Sequence, residues 1–276
     1  MPPEVRRARN ALWAAFVVMG IGAMSWTPRI PEIKDALALS ATGLGVVLFL
    51  NSLGALAGAH LSGRIIHRLG TRRTATAAGL GLMIPTAGIG LAPDAATLVV
   101  LLAAGSFAYA VLDVAVNTQA LAVERLSGRR YLSSFHGCWS IGMLLVTLLG
   151  ASIARITSPG TNLLVVGTVG AGLHLAIVRG LLDPAHDRPP EESTPTGMRA
   201  TAQTTTATAD ATSGAAGTAT GSATHLPLFA RGTLPLWLLG AGIVTCLIPE
   251  ASVGNWGALL LTEALNAQPE IGRAHV

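Results

Sequence analysis

The sequence predicts an all-α fold, a polytopic transmembrane helical bundle, and three observations carry that prediction. The 276 residues are 51% hydrophobic and only 12% charged, with 32 glycines and a mean hydropathy of +0.56. Soluble domains carry about 25% charged residues. Apolar residues gather in seven long runs, several near the roughly 20 residues that a bilayer-crossing helix needs. Arginines stand at the ends of these runs rather than on one basic face. The net charge of +4 therefore reflects topology and not a nucleic-acid partner.

The first run, residues 11–26, follows Arg6, Arg7 and Arg9 and leads to Ser25-Trp26-Thr27-Pro28 instead of a small-residue cleavage site, so it is expected to stay in the membrane. Residues 28–35 hold two prolines and balanced charge, which predicts an external loop or short interfacial turn. The second run, 42–62, carries Gly54 and Gly58 at a spacing that lets a neighbouring helix approach closely, with Asn51 and His60 as its polar members. A basic turn is expected over 63–73, then a third run, 74–92, in which Pro85 is tolerable because neighbours can satisfy the freed carbonyl. The fourth run spans 95–123. The fifth, 134–154, puts His136 and Ser140 on one face, and the sixth, 162–182, carries His174.

From 183 to 232 the composition shifts to Pro, Glu, Thr, Ala, Ser and Gly, which predicts a disordered linker. A seventh helix is expected over 233–262, followed by a tail over 263–276. Taking alternate sides in turn, Arg6, Arg7, Arg9, Arg64, Arg68, Arg72, Arg73, Arg125, Arg129, Arg130, Arg179, Arg188, Arg199 and Arg231 fall on one side. Arg29, Lys34 and Arg155 fall on the other. By the positive-inside rule the N-terminus and the linker are cytoplasmic.

Asp113 lies within the fourth run, and a charge at bilayer depth costs roughly 2.5–3.5 kcal/mol, so it persists where it faces protein or a wet cavity. At about 100° per residue Ser106, Asp113, Asn117 and Glu124 form one polar stripe, while Gln119 lies off it and is expected to meet another helix. Asp113 and Asn117 are either a site or interhelical packing glue. Glu250 repeats the pattern in the seventh run, unless Pro249 ends the buried stretch early and leaves it at the interface. Cys138 and Cys246 lack metal-ligand spacing and read as packing residues. No H-E-x-x-H, phosphate-cradling loop or nucleophile elbow is present, and Gly79 and Gly81 follow no strand, so neither an enzyme, a metal nor a cofactor is expected.

Six spans, a long linker and a new span resemble the major facilitator superfamily of secondary transporters, in its first six-helix half plus the seventh helix. Gly63, Arg68, Gly70, Arg72 and Arg73 match that family's G-x-x-x-D-[RK]-x-G-[RK]-[RK] gating signature, with one extra residue before the arginine pair. His67 stands at the acid's position, which implies a latch that is weaker or pH-sensitive near neutrality. Ser133 to Gly137 with Trp139 and Ser140, the stretch 113–117 and the stretch 250–256 are similar to a bacterial branch near the fucose permeases. Those permeases use acids in helices one and four; here the first run has none and Asp113 fills the second role. The helix-five signature of drug/proton antiporters is absent.

The resemblance implies a carrier in the bacterial inner membrane that moves a small polar solute, such as a sugar, by alternating access, with proton coupling through Asp113. Its cavity would gather Asp113, Asn117, His136, Glu250, Asn255, Trp256 and Trp26. A membrane sensor or scaffold that does not transport, or a nonfunctional fragment, are the alternatives. Ile271, Gly272, Arg273, Ala274, His275 and Val276 can be encoded as ATC GGA AGA GCA CAC GTC, which resembles a sequencing-library adapter read in frame from Glu270. The natural frame is expected to depart near Pro269 and continue.

Overall fold

A chain in lipid must close its backbone hydrogen bonds internally, and the first six apolar runs do so as helices. The computed structural model describes residues 1–183 and Thr245, which is helical. The rest of the expected linker, of the seventh helix and the tail lies outside the described residues. Helix α1 is Pro3–Met24; a 3-10 turn, Thr27–Arg29, leads to the short α2, Ile30–Ala36. Then come α3, Ala41–Leu69, α4, Thr71–Ile89, α5, Ala95–Ser127, α6, Leu132–Ala154, and α7, Pro159–Ile177, which ends in a 3-10 turn, Val178–Gly180. No strand occurs among the described residues.

The starts follow from local chemistry. The side chains of Ser40, Asp94 and Ser158 accept hydrogen bonds from the amides of Gly43, Thr97 and Thr161, and so cap α3, α5 and α7. Two connections differ from expectation. Residues 28–35 are not a loop, because Pro28 and Pro31 each stand in the first turn of a helix, where the missing N–H costs nothing. Nor are residues 63–73 a turn. Nothing between Gly63 and Leu69 breaks the helix, so α3 runs on for 29 residues until Gly70, whose φ of 79° only glycine adopts readily.

Among the described residues, five helical segments are long and apolar enough to cross a membrane. Helix α4 is the exception, since it carries Arg72, Arg73 and several threonines, and it packs between α5 and α7. The other main pairings are α3 with α5 and α1 with α6. Both depend on glycine. A Cβ at Gly54 or Gly58 would strike the backbone oxygen of Ala103 or Phe107, as the small-residue spacing predicts. A Cβ at Gly20 would come within 2.5 Å of the Trp139 carbonyl oxygen, and one at Gly142 would meet that of Val17. Between these pairs lies a core that includes Phe16, Met83, Leu112 and Phe135.

Polar fasteners close the bundle. Gln119 is buried and meets other elements, as its position off the stripe predicts: its Nε2 donates to Thr71 Oγ1 at 2.6 Å and to the Leu182 carbonyl at 3.1 Å, and its Oε1 accepts from the Leu182 amide at 3.0 Å. His174, also buried, bonds through Nε2 to the Ala75 carbonyl at 2.9 Å and ties α7 to α4.

Candidate functional site

Asp113 stands near the middle of α5, half-buried, with Asn117 one turn on. The Asn117 Nδ2 donates to the Asp113 carboxylate at 3.0 Å and to its carbonyl at 2.9 Å. That local pairing orients one carboxylate oxygen and leaves the other lone pairs for an incoming proton or solute. Helix α6 brings His136 within electrostatic reach of Asp113. The imidazole packs edge-on against Phe16 of α1, with ring centroids 5.4 Å apart, so α1, α5 and α6 all border the site.

Tyr109 and Trp139 complete the group, and sequence reasoning missed both. Tyr109 lies one turn before Asp113, within its field, and its hydroxyl neighbours the Trp139 indole. Among the described residues, the Trp139 Nε1 is nonetheless buried without a hydrogen bond of ordinary geometry. The signal was spacing: Tyr109 is four residues from Asp113 and Trp139 three from His136, each on the same helix face as its partner.

The rest of the expected stripe does other things. Ser106 donates to Asn51 Oδ1 and fastens α5 to α3. The Glu124 carboxylate accepts from the amides of Tyr131 and Leu132, the first groups of α6. A carboxylate at a helix N-terminus is held by unsatisfied amides and the helix dipole, which draws Glu124 away from Asp113. Trp26 is also apart. It packs with Ile30, Leu44 and Leu48 beyond the end of α1, ten residues on from Phe16. Glu250, Asn255 and Trp256 lie outside the described residues.

The basic signature divides at Gly70. On α3, Gly63, His67 and Arg68 are exposed. On α4, Arg72 reaches the end of the last described segment, pairing with Asp183 through Nη1 and donating from Nη2 to the Arg179 carbonyl at 3.1 Å. Arg73 is exposed. At the opposite end of the bundle Arg29, expected in an external loop, is 1% exposed. Its guanidinium donates to Glu32 at 2.9 Å, to the Thr157 hydroxyl at 3.0 Å and to Asn162 Oδ1 at 3.3 Å.

Over residues 12–265 the sequence matches the Major Facilitator Superfamily. The chain belongs to that superfamily. Among its curated relatives, an uncharacterized transporter of Sinorhizobium fredii is 35% identical over 132 residues, 48% of this chain and 35% of that protein. An uncharacterized MFS-type transporter of Yersinia pestis is 33% identical over 128 residues, 46% of this chain and 33% of the relative. Membrane protein MosC of Rhizobium meliloti is 29% identical over 170 residues, 59% and 42% of the two chains. The chain thus matches about a third of the length of the first two relatives. Superfamily membership and the apolar helices make it a multi-pass membrane protein of the all-α helical-bundle class.

Proposed function

We propose that this superfamily member is a secondary active transporter of the bacterial inner membrane, with its N-terminus cytoplasmic, that moves a small polar solute by alternating access. The observation that carries the reading is Asp113, a carboxylate midway along a membrane-crossing helix, bonded to Asn117 and within the field of His136. An acid at that depth is functional by default, because an idle one would cost insertion energy for no return. Residues 1–182 form one six-helix half, and a linker over 183–232 joins it to a second half that opens with the helix over 233–262. The halves rock about a site between them.

Asp113 carries the coupling proton, changing between its neutral and ionised forms as the site opens to each side, while Asn117 holds the carboxylate in place. His136 of α6 borders that exchange site. A neutral solute such as a sugar hydrogen-bonds to Asn117 and to Asn255 of the seventh helix, with Glu250 and Trp256 at the borders. No step requires a bound cofactor or a metal. His67, at the position where the superfamily signature has an acid, softens the cytoplasmic latch formed with Gly63, Arg68, Gly70, Arg72 and Arg73.

The test is counterflow of labelled solutes in vesicles carrying the full-length protein, across a range of pH, with Asp113→Asn beside the native chain. Transport that loses its pH dependence in the variant supports the proton role. Unchanged uptake and pH profile in Asp113→Asn would remove it, and binding without any counterflow would make the protein a sensor.

A further inference from the structure

Arg9, Trp13 and Phe16 follow one another along α1 at four- and three-residue steps and so share one face of that helix. That face meets the first turns of α6. Trp13 forms a triangle of rings with Tyr131 and Phe135, their centroids 6.1 to 6.2 Å apart. The Trp13 Nε1 donates to Ser134 Oγ at 3.0 Å, and the Ser134 hydroxyl donates to the Tyr131 carbonyl at 2.6 Å. Phe135 is fully buried and stacks on Phe16 with centroids 5.7 Å apart, and Phe16 in turn meets the His136 imidazole edge-on. A continuous run of rings thus leads from Trp13 to His136.

A cation closes the far end of that run. The Arg9 guanidinium lies 4.7 Å from the Trp13 ring centroid and 5.6 Å from that of Tyr131, and Asn10 Oδ1 accepts from its Nη2 at 2.9 Å and its Nε at 3.2 Å. A planar guanidinium is attracted to aromatic faces, and one that reaches two rings draws α1 and the start of α6 together. Further along, backbone contact locks the pair at Gly20 and Gly142. Before Gly20 α1 has no glycine, and side chains set its spacing from α6 there. We propose that Arg9 is a positioning residue of the Asp113 site, clasping Trp13 and Tyr131 so that the rings behind them hold His136 beside Asp113. This role presupposes that Asp113 is the working carboxylate. It needs no free surface, because every contact of the clasp lies within α1 and the start of α6.

The test labels histidine side chains with carbon-13 in detergent-solubilised full-length protein and reads the His136 resonance at fixed pH, identified by its loss in His136→Gln. No transport is measured, so its outcome is separate from that of the counterflow test on Asp113. Arg9→Gln should displace the resonance, and Arg9→Lys, which keeps the charge and loses the plane, should restore about half of the displacement. Arg6→Gln, which removes an exposed cation from the same end of α1, should leave it in place. Trp13→Leu should displace it with Arg9 intact, and Arg9→Gln should then add nothing further, because its effect passes through that ring. Tyr131→Leu removes the other ring and should displace the signal as well, a second reading if Arg9→Gln does not fold. Asp113→Asn should move the same resonance, since imidazole and carboxylate share one field. A resonance that stays in place in Arg9→Gln or in Tyr131→Leu overturns the proposal, as does an equal displacement in Arg6→Gln. Additive displacements in the double variant would mean that Arg9 acts by charge at a distance, and a resonance indifferent to Asp113→Asn would put the clasped ring outside the site; either result overturns it too.

Discussion

Arg29 and Thr157 are 128 residues apart in sequence and bonded through two guanidinium nitrogens, Nη1 to the threonine carbonyl at 3.3 Å and Nη2 to its hydroxyl at 3.0 Å. The contact joins the turn after α1 to the connection between α6 and α7. Hydrogen bonds to a charged group contribute about 1.5–3 kcal/mol, so Arg29→Met should destabilise the solubilised protein by about 2–3 kcal/mol. Arg29→Lys keeps the charge and loses the fork, and should cost about 1 kcal/mol. Thermal denaturation in detergent reads both. Equal melting of Arg29→Met and the native chain would mean that the network does not hold this end together.

The α3 helix offers two glycines with opposite expectations. Gly58 faces the Phe107 backbone, which cannot move aside, whereas a Cβ at Gly63 would meet nothing among the described residues within 4 Å. Gly58→Ala should therefore destabilise by about 1–3 kcal/mol through overpacking. Gly63→Ala should stabilise by about 0.5–1 kcal/mol, because alanine loses less backbone freedom in a helix. The two melting temperatures should move in opposite directions. If both fell alike, close approach of α3 and α5 would not be the reason for Gly58.

What the sequence discloses is set by range. Each described apolar run is helical because length and hydropathy are local properties, and Asp113 with Asn117 was legible because four residues make one helical turn. Arg29 was not. Between two prolines and near Glu32 and Asp35 it looks like a solvated loop, and only the fold brings Thr157 and Asn162 to it. Glu124 misled for a related reason. Helical periodicity placed it in line with Asp113, but periodicity carries no knowledge of the α6 amides that claim its carboxylate. The charges of residues 63–69 suggest a turn, yet α3 continues through them, because arginine is a good helix former and only Gly70 breaks the helix.

Asp94 gives a pH dependence outside the membrane-crossing segment. Its carboxylate accepts the Thr97 amide proton at 2.8 Å, and that bond, with one from the Thr97 side chain, holds its pKa below the ordinary aspartate range. A lowered folded-state pKa stabilises above the unfolded value, near 3.9, and the contribution fades as pH falls through the folded value. Asp94→Asn retains the cap without the titration. The stability advantage of the native chain over Asp94→Asn should hold steady from about pH 7 to 5 and shrink below about pH 4. A constant difference down to acid pH would remove the charged cap from the account of α5.

Glu124 separates positioning from proton transfer. Its carboxylate fixes the start of α6, and His136 stands four residues beyond Leu132, so loosening that start shifts the imidazole relative to Asp113. Glu124→Ala loses both cap and charge and should cost about 1–2 kcal/mol, whereas Glu124→Gln keeps an acceptor and should cost about 0.3–1 kcal/mol. Counterflow should fall in the same order, while its pH profile stays that of the native chain, because Asp113, the proposed proton carrier, is intact. That profile is the deciding measurement. A merely positioning role moves the rate, and a part in the proton path moves the pH midpoint. If Glu124→Gln shifted the midpoint with its melting temperature unchanged, Glu124 would belong with Asp113 after all, and the single polar stripe expected from helical spacing would be the proton route.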